Sequence, residues 1–218
     1  MPRPAPPSRL QERRRTGSRR EILDAARTVL ARVGVPGLTQ EAVARELGVT
    51  KQALYHYFPS KNALLFEVVL EEHAAAAEAV HTACARAPDG PSALEALIRA
   101  TVAHFAGRLD AFRLITQQVQ FVDAERMDPE TLARLRPLND RSYGVAEEKL
   151  RADWRGARGG KRGDARRLVF TAHLAAMGLL TMKALVERFE DPLRHRDDEL
   201  VAELCGVFRQ AATKERSS

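Results

Sequence analysis

The chain has 218 residues and a hydrophobic content of 44%, which is enough for a small domain followed by a larger one of about 150 residues. Its formal net charge is +6, and residues 1–20 carry all of this excess, with seven arginines and one glutamate. The two cysteines, Cys84 and Cys205, are isolated in the sequence, which argues against a disulfide framework and against a zinc-type cluster.

Nothing in the sequence indicates export or membrane insertion. The N-terminal segment is charged but lacks the apolar core of a signal peptide, and no run approaches the roughly eighteen consecutive apolar residues of a spanning helix. The expected location is therefore cytoplasmic. Residues 1–18 are rich in proline and arginine and are predicted to form a disordered basic arm. Such an arm either follows DNA phosphates or a minor groove, or is a solvated tail without a specific role.

A small domain is predicted over residues 19–66, and it begins with a helix. Ser18 and Glu21 have the spacing of a capping box, so this helix should start near Arg19. Its apolar residues recur at intervals of three and four, which marks one buried face. The helix should end near Val33, because glycines and a proline follow it.

Two shorter helices follow in the same domain. Thr39 is a good N-cap for the second helix, Gly48 can adopt the positive φ of a sharp turn, and Thr50 is a good N-cap for the third. The third helix, over residues 51–57, carries hydrogen-bonding side chains on its exposed face. Two short helices joined by a glycine turn are typical of a helix-turn-helix, which favours DNA binding.

The third helix carries the candidate DNA-reading residues. In a helix-turn-helix the second helix enters the major groove, where lysine can donate to guanine O6 and N7 and glutamine can pair with adenine. We therefore predict that Lys51 and Gln52 read bases, together with Tyr55. Ser60 should cap a fourth helix whose free N–H groups suit a phosphate, with the Lys61 ammonium beside them. The predicted phosphate contacts are Thr39, Thr50, His56, Tyr57 and Lys61.

The aromatic cluster that ends the third helix has an alternative interpretation. Aromatic residues in a helix more often pack in a core than contact nucleic acid, and Leu54 and Phe58 are predicted to be core residues here. The ordered set of caps around a glycine turn nevertheless favours DNA binding. The main alternative is a helical interaction module that uses this domain to bind a protein.

Residues 39–65 resemble the N-terminal DNA-binding domain of TetR-like transcriptional repressors. The shared elements are a helix started by threonine, Gly-Val, a short helix with Leu-Tyr-x-x-Phe, and Lys-x-x-Leu-Leu. The resemblance is close over residues 19–70. It implies a homodimer that binds a near-palindromic double-stranded DNA operator and releases it when a small-molecule effector occupies the C-terminal domain. Lys51-Gln52 stands where the family often has a small residue, so the operator sequence does not transfer.

Residues 67–218 are predicted to form further helices and no strand. The complete prediction is an all-α protein of about nine helices, in which a three-helix DNA-binding domain precedes a larger helical domain for ligand binding and dimerisation. A capping box at Ser92 and Glu95 starts one helix, and Pro137 should kink or interrupt another. The glycine-rich segment at residues 156–163 lacks the spacing of a phosphate-binding loop and is predicted to be a flexible connector.

The last two predicted helices have wide apolar stripes and small residues that allow close approach. Two such hairpins, one from each subunit, would form a four-helix bundle with twofold symmetry, which is also where the family resemblance places the dimer interface. Alternatively, the stripes close the core of a monomer. The predicted interface residues are Leu168, Ala172, Ala175, Leu179, Met182, Val186, Leu200, Leu204, Val207, Phe208 and Ala211.

A helical bundle of this size can enclose an apolar cavity with a few polar groups, as a small-molecule site requires. The candidate lining residues lie in or beside apolar stripes, where ordinary core residues would also be found. They are His104, Phe105, Phe112, Gln117, Phe121, Tyr143, His173 and Met177. No pattern identifies the effector.

An enzymatic function is not predicted. Helical bundles can hold carboxylate-bridged metals through paired Glu-x-x-His motifs, but Glu78 and His81 form one copy without a second. The sequence contains no nucleophile elbow, no zinc-type spacing of cysteine and histidine and no nucleotide-binding fingerprint. We therefore assign no catalytic residue, metal or cofactor, and a metalloenzyme is the weakest alternative.

Overall fold

The computed structural model describes residues 9–121, 129–156, 164–186 and 195–213. Over these residues the chain forms nine α-helices and no strand, which confirms the predicted all-α class. In chain order the helices are α1 (Arg9–Gly37), α2 (Gln40–Leu47), α3 (Lys51–Tyr57), α4 (Lys61–Arg86), α5 (Gly90–Ala106), α6 (Leu109–Phe121), α7 (Pro129–Gly156), α8 (Ala165–Val186) and α9 (Asp197–Thr213).

The helices divide into two compact units, an N-terminal unit, Met1–Glu71, and a C-terminal unit, Glu72–Ser218. The division falls inside α4, whereas the sequence predicts a boundary after residue 66. The first turns of α4 belong to the N-terminal unit because their side chains interact there. For example, the Glu67 carboxylate pairs with the Arg19 guanidinium at 2.7 Å.

Helix α1 begins at Arg9, whereas the sequence predicts a start near Arg19 after a disordered arm. Residues 9–16 contain neither glycine nor proline and are mostly arginine, leucine, glutamine and glutamate, which are strong helix formers. Ser18 therefore lies inside the helix and does not cap it. Near the predicted end at Val33, Gly34 is non-helical with a φ of 67° and kinks α1, although the element as a whole continues to Gly37. The part of the predicted arm before Arg9 lies outside the described residues.

Helix α5 is the centre of the C-terminal unit and contacts α7, α8 and α9. Its side chains Leu94 and Leu97 are fully buried. The helix is capped by Asp89, whose carboxylate accepts a hydrogen bond from the Ser92 N–H at 2.7 Å. The predicted capping box at Ser92 is therefore wrong. The helix starts earlier because Pro91, which has no N–H to satisfy, fits its first turn.

Helices α5 and α7 approach each other closely at Gly90. A Cβ at this position would lie 2.5 Å from the Leu150 Cα, so only glycine allows the contact. The Gly90 N–H also donates to the Asp153 carboxylate at 2.6 Å. Helix α7 runs as one element through Pro137 rather than ending there. The predicted connector after Gly156 lies outside the described residues.

Helix α8 has two different faces. The inward side chains Val169 and Ala176 are fully buried, whereas Phe170, Leu174 and Met182 point outward and are about half exposed. By length and composition α8 could cross a membrane, with a mean hydropathy of 1.6 in a window of which 28% is buried, and core helices of soluble proteins meet the same test. The helix is nevertheless not an unbroken apolar run, since polar residues such as His173 and Lys183 interrupt it.

Candidate nucleic-acid interface

The two predicted threonine caps position α2 and α3. The Thr39 hydroxyl accepts a hydrogen bond from the Ala42 N–H at 3.0 Å, and the Thr50 hydroxyl accepts from the Ala53 N–H at 3.3 Å. Between them Gly48 has φ 68° and ψ 27°, the left-handed conformation that the turn requires. The helix-turn-helix is thus built from local hydrogen bonds of the kind that the sequence predicts.

The inner face of α3 is fixed by two buried side chains and a buried amide. Leu54 and Phe58 are each 1% exposed, which confirms their prediction as core residues. The Gln40 side-chain amide donates to the Phe58 carbonyl at 2.6 Å and is itself buried. The Arg19 guanidinium lies 4.5 Å from the centre of the Phe58 ring. The sequence did not predict a structural role for Gln40, because no local pattern indicates that a side-chain amide will pair with the carbonyl of a distant residue.

The outer face of α3 is open to solvent. Lys51, Gln52, Tyr55 and His56 are exposed, and Tyr57 is half-buried. The rings of His56 and Tyr57 meet edge to face, with their centres 5.5 Å apart. All three candidate base-reading side chains are therefore accessible on one short helix.

Lys51 has two neighbours on this face. Its Nζ lies 3.2 Å from the Glu41 carboxylate on α2 and 5.8 Å from the centre of the Tyr55 ring. The hydrogen bond from Lys51 and the negative charge of Glu41 raise the pKa of Lys51, so the lysine is a cation throughout the physiological range. Glu41 was also missed by the sequence analysis, because it belongs to a different helix from the lysine.

Lys61, a predicted phosphate contact, is engaged inside the N-terminal unit. Its ammonium donates to the Val35 carbonyl at 2.7 Å and to the Pro36 carbonyl at 3.3 Å. These carbonyls lie at the end of α1, where a cation is favoured by the helix dipole. Ser60 caps α4 as predicted, with its hydroxyl accepting from the Ala63 N–H at 3.0 Å. Lys61 therefore fastens α1 to the start of α4.

The candidate effector residues fall into two groups within the C-terminal unit. In the first, Phe105 and Phe112 are buried with ring centres 5.4 Å apart, and His104 packs on Phe105 at 4.7 Å. In the second, Tyr143 of α7 lies edge to face on His173 of α8 at 5.0 Å. The side chain of Met177 is half-buried on α8, whereas those of Gln117 and Phe121 lie outside what the structure describes.

The second group contains an unsatisfied polar atom. The Nδ1 of His173 is buried without a hydrogen-bond partner. Burial, together with a smaller effect of the nearby His73, lowers the pKa of His173 to about 4. Burial also lowers the pKa of His73, against the effect of its hydrogen bond with Asn139. Both imidazoles are therefore neutral at neutral pH.

A separate groove of about 620 Å³ lies between α4 and α7 and includes His81. The Glu78 carboxylate accepts two hydrogen bonds from Arg141, at 2.6 and 3.0 Å. The carboxylate of the single Glu-x-x-His motif is therefore paired with an arginine. Among the described residues no three histidine, cysteine, aspartate or glutamate side chains are grouped to hold a metal.

The predicted dimer residues lie at different depths in α8 and α9. Met182, Val207 and Ala211 are exposed. Ala172 and Phe208 are buried within the protomer. The remaining six are half-buried: Leu168, Ala175, Leu179, Val186, Leu200 and Leu204. Three further apolar side chains of α8 are exposed, and the sequence did not predict them because both sides of this helix are apolar: Phe170, Leu174 and Leu185.

Residues 22–68 match the family model of bacterial regulatory proteins of the tetR family. No curated protein matches the chain in sequence. The matched segment contains the helix-turn-helix and the helices on either side of it, so it covers the same region as the resemblance found in the sequence.

Solved structures share the fold over most of the chain. A transcriptional regulator of the TetR/AcrR family from Thermobifida fusca is 22% identical, with a TM-score of 0.65 over 92% of this chain and 100% of that one. A regulatory protein of the tetR family from Rhodococcus RHA1 is 18% identical, with a TM-score of 0.64 over 89% and 96% of the two chains. FadR from Bacillus subtilis, solved with stearoyl-CoA, is 17% identical, with a TM-score of 0.63 over 89% and 97%.

The short exposed helix α3 follows a glycine turn, as in a helix-turn-helix, and the whole chain shares the fold of these solved regulators. Residues 22–68 are similar to the N-terminal domain of the TetR family, and the whole chain has the fold of solved regulators of that family. The general role of the family is ligand-responsive repression, and its members are regulators rather than enzymes.

Proposed function

We propose that this chain is a cytoplasmic, homodimeric repressor that binds a near-palindromic operator and releases it when a small-molecule effector binds the C-terminal unit. The observation that carries this proposal is the arrangement of α3. Its inner side chains, Leu54 and Phe58, anchor the helix, while Lys51, Gln52 and Tyr55 stay exposed. A short anchored helix with exposed hydrogen-bonding groups is the form that major-groove reading needs.

The proposed DNA contacts divide into base readers and phosphate binders. Lys51, Gln52 and Tyr55 meet base edges. The hydroxyls of Thr39 and Thr50 already accept a backbone hydrogen bond, and each keeps its own proton to donate to a phosphate oxygen. The other phosphate binders are His56, Tyr57 and Lys61, of which Lys61 also supports the site by holding the end of α1.

The proposal of dimerisation is supported by the outward faces of α8 and α9. Phe170, Leu174 and Leu185 on α8 and Val207 on α9 are about half exposed, although all are large and apolar. Exposed apolar patches of this kind usually mark a protein interface. A second copy would cover the patch and supply a second reading helix about one turn of DNA, roughly 34–36 Å, away.

The effector site is proposed among the two groups of candidate residues in the C-terminal unit. The unpartnered Nδ1 of His173, beside the Tyr143 ring, supports a site that offers a hydrogen bond to a bound molecule. Stearoyl-CoA is the ligand of FadR and does not identify the effector of this chain. An effector would release DNA only through its higher affinity for the conformation in which the two reading helices do not fit adjacent grooves.

Selection of duplexes from a random pool with the full-length protein tests the proposal. We expect a near-palindromic sequence, and an affinity for random duplex that falls steeply with added salt. Failure to enrich any duplex, together with an affinity that salt does not change, would contradict DNA binding and favour the protein-interaction module.

A further inference from the structure

A glutamate stands beside the proposed base-reading lysine. The Glu41 Oε1 on α2 is 3.2 Å from the Lys51 Nζ on α3, and the two side chains are 67% and 46% exposed. Both therefore face solvent on the side of the domain that is proposed to meet DNA. DNA repels a carboxylate, so Glu41 opposes binding to every sequence unless something compensates for it.

We propose that Glu41 is a specificity-determining residue of the reading surface, which restrains the Lys51 ammonium until the correct base replaces the carboxylate as its hydrogen-bond acceptor. This inference rests on the proposed function, because it requires Lys51 to read a base. It adds to that function a residue that the base-reading and phosphate-binding assignments do not include.

The restraint acts from two sides. The Tyr55 ring, one turn along α3, has its centre 5.8 Å from the Lys51 Nζ, within the range in which an aromatic face attracts a cation. The ammonium is thus held between a carboxylate and an aromatic ring. This arrangement also limits the directions in which its remaining hydrogens can point.

Discrimination arises because Glu41 weakens binding to every duplex, whereas only the correct base offsets this loss by accepting hydrogen bonds from Lys51. On any duplex, Lys51 must give up part of its contact with Glu41, and the carboxylate approaches phosphates. Guanine presents two adjacent acceptors, O6 and N7, to the ammonium when the sequence is correct, whereas any other base presents at most one acceptor on its major-groove edge. A repulsive group that is offset only by the right partner raises specificity at the expense of affinity.

Glu46 supplies a matched control. It lies on the same helix, α2, and pairs with Arg32 of α1 at 2.9 Å instead of with the reading helix. Glu46→Gln therefore removes the same charge from the same helix without changing the environment of Lys51.

The experiment measures affinity for the selected duplex and for random duplex of equal length at one salt concentration. The full-length wild type is compared with Glu41→Gln, Glu46→Gln, Lys51→Met and the double variant Glu41→Gln/Lys51→Met. We expect Glu41→Gln to raise affinity for random duplex by up to about tenfold and to lower the ratio of selected to random affinity at least about threefold. Glu46→Gln should leave that ratio unchanged.

The double variant separates restraint of the lysine from simple repulsion. In the Lys51→Met background, Glu41→Gln should raise both affinities equally and leave their ratio unchanged. The inference is overturned if Glu41→Gln keeps the wild-type ratio, or if it lowers the ratio equally with and without Lys51. A wild type that binds DNA but shows either result retains the proposed function, whereas a wild type without salt-dependent DNA binding loses both.

Discussion

At the scale of single residues, two polar side chains hold the helix-turn-helix in place from inside. Gln40 is 5% exposed and donates to the carbonyl of Phe58, the residue that ends α3. Lys61 donates to two carbonyls at the end of α1. Gln40 thus supplies a donor at the end of α3, and Lys61 supplies one at the end of α1, where the Val35 carbonyl also accepts from the Leu38 N–H at 3.3 Å. The orientation of α3 therefore depends on buried polar contacts as well as on apolar packing.

Gln40→Met should destabilise the N-terminal unit while keeping a similar side-chain volume. The variant leaves the buried Phe58 carbonyl without its donor, which costs about 1–3 kcal/mol. Urea unfolding of the full-length protein measures the loss. Gln52→Met, at an exposed position of α3, is the control and should change the unfolding free energy by less than about 0.5 kcal/mol. Equal stability of the two variants would contradict the anchoring role of Gln40.

Cys84 should be unreactive in the folded protein. Its thiol is fully buried and donates to the Ala93 carbonyl at 3.4 Å, and burial raises its pKa to about 12. Since only the thiolate reacts, iodoacetamide at about pH 8 should label Cys84 only after unfolding. Mass spectrometry with and without urea measures this. Rapid labelling of the native protein at Cys84 would show that the thiol is not enclosed as described.

At the scale of elements, α8 combines a packed face with an open one. Its inner residues are mostly alanine, valine and leucine packed against α5 and α7, while its outer residues include Phe170 and Leu174. The inner face completes the core of the C-terminal unit. The outer face exposes apolar area to water and gains stability only when a partner covers it.

Leu174→Glu should shift the protein from dimer to monomer. A carboxylate at the centre of the outer face of α8 would be buried without a counter-charge in the dimer, which is strongly unfavourable. Sedimentation velocity measures the oligomeric state. Ala85→Glu, at an exposed site on α4, is the matched control and should remain dimeric. A Leu174→Glu variant that stays dimeric would place the interface elsewhere.

At the scale of the whole molecule, the larger unit contains several half-buried imidazoles. Burial lowers the pKa of His73 and of His104, and lowers the pKa of His173 to about 4. The unfolded chain therefore takes up protons before the folded chain does as the pH falls. The contribution of these histidines to folding stability is complete above the ordinary histidine pKa of 6.5. It is lost as the pH falls toward about 4.

Acidification should destabilise the C-terminal unit, and His173 should account for a large part of this effect. A shift from 6.5 to about 4 corresponds to roughly 3 kcal/mol of unfolding free energy. Urea unfolding at about pH 7 and about pH 4.5 measures the difference. His173→Gln cannot titrate and should lose less stability between the two conditions than the wild type. The same loss in both proteins would assign the pH dependence to other groups.

The sequence by itself determined the features that depend on hydrogen bonds and spacing within a few residues. The Thr39 and Thr50 caps, the left-handed Gly48 turn and the buried Leu54 all follow from local chemistry, and they were sufficient to predict the helix-turn-helix. Apolar periodicity likewise predicted an all-α chain, because each amphipathic helix must bury one side.

The tertiary structure alone decided which partners meet across the chain. Helix α8 is apolar on both sides, so its periodicity could not show that Ala172 faces inward and Leu174 outward. The contacts of Gln40 with Phe58 and of Glu41 with Lys51 join separate helices. Such contacts depend on how helices pack, which is set by the shapes of complete side-chain surfaces and not by the spacing of neighbouring residues.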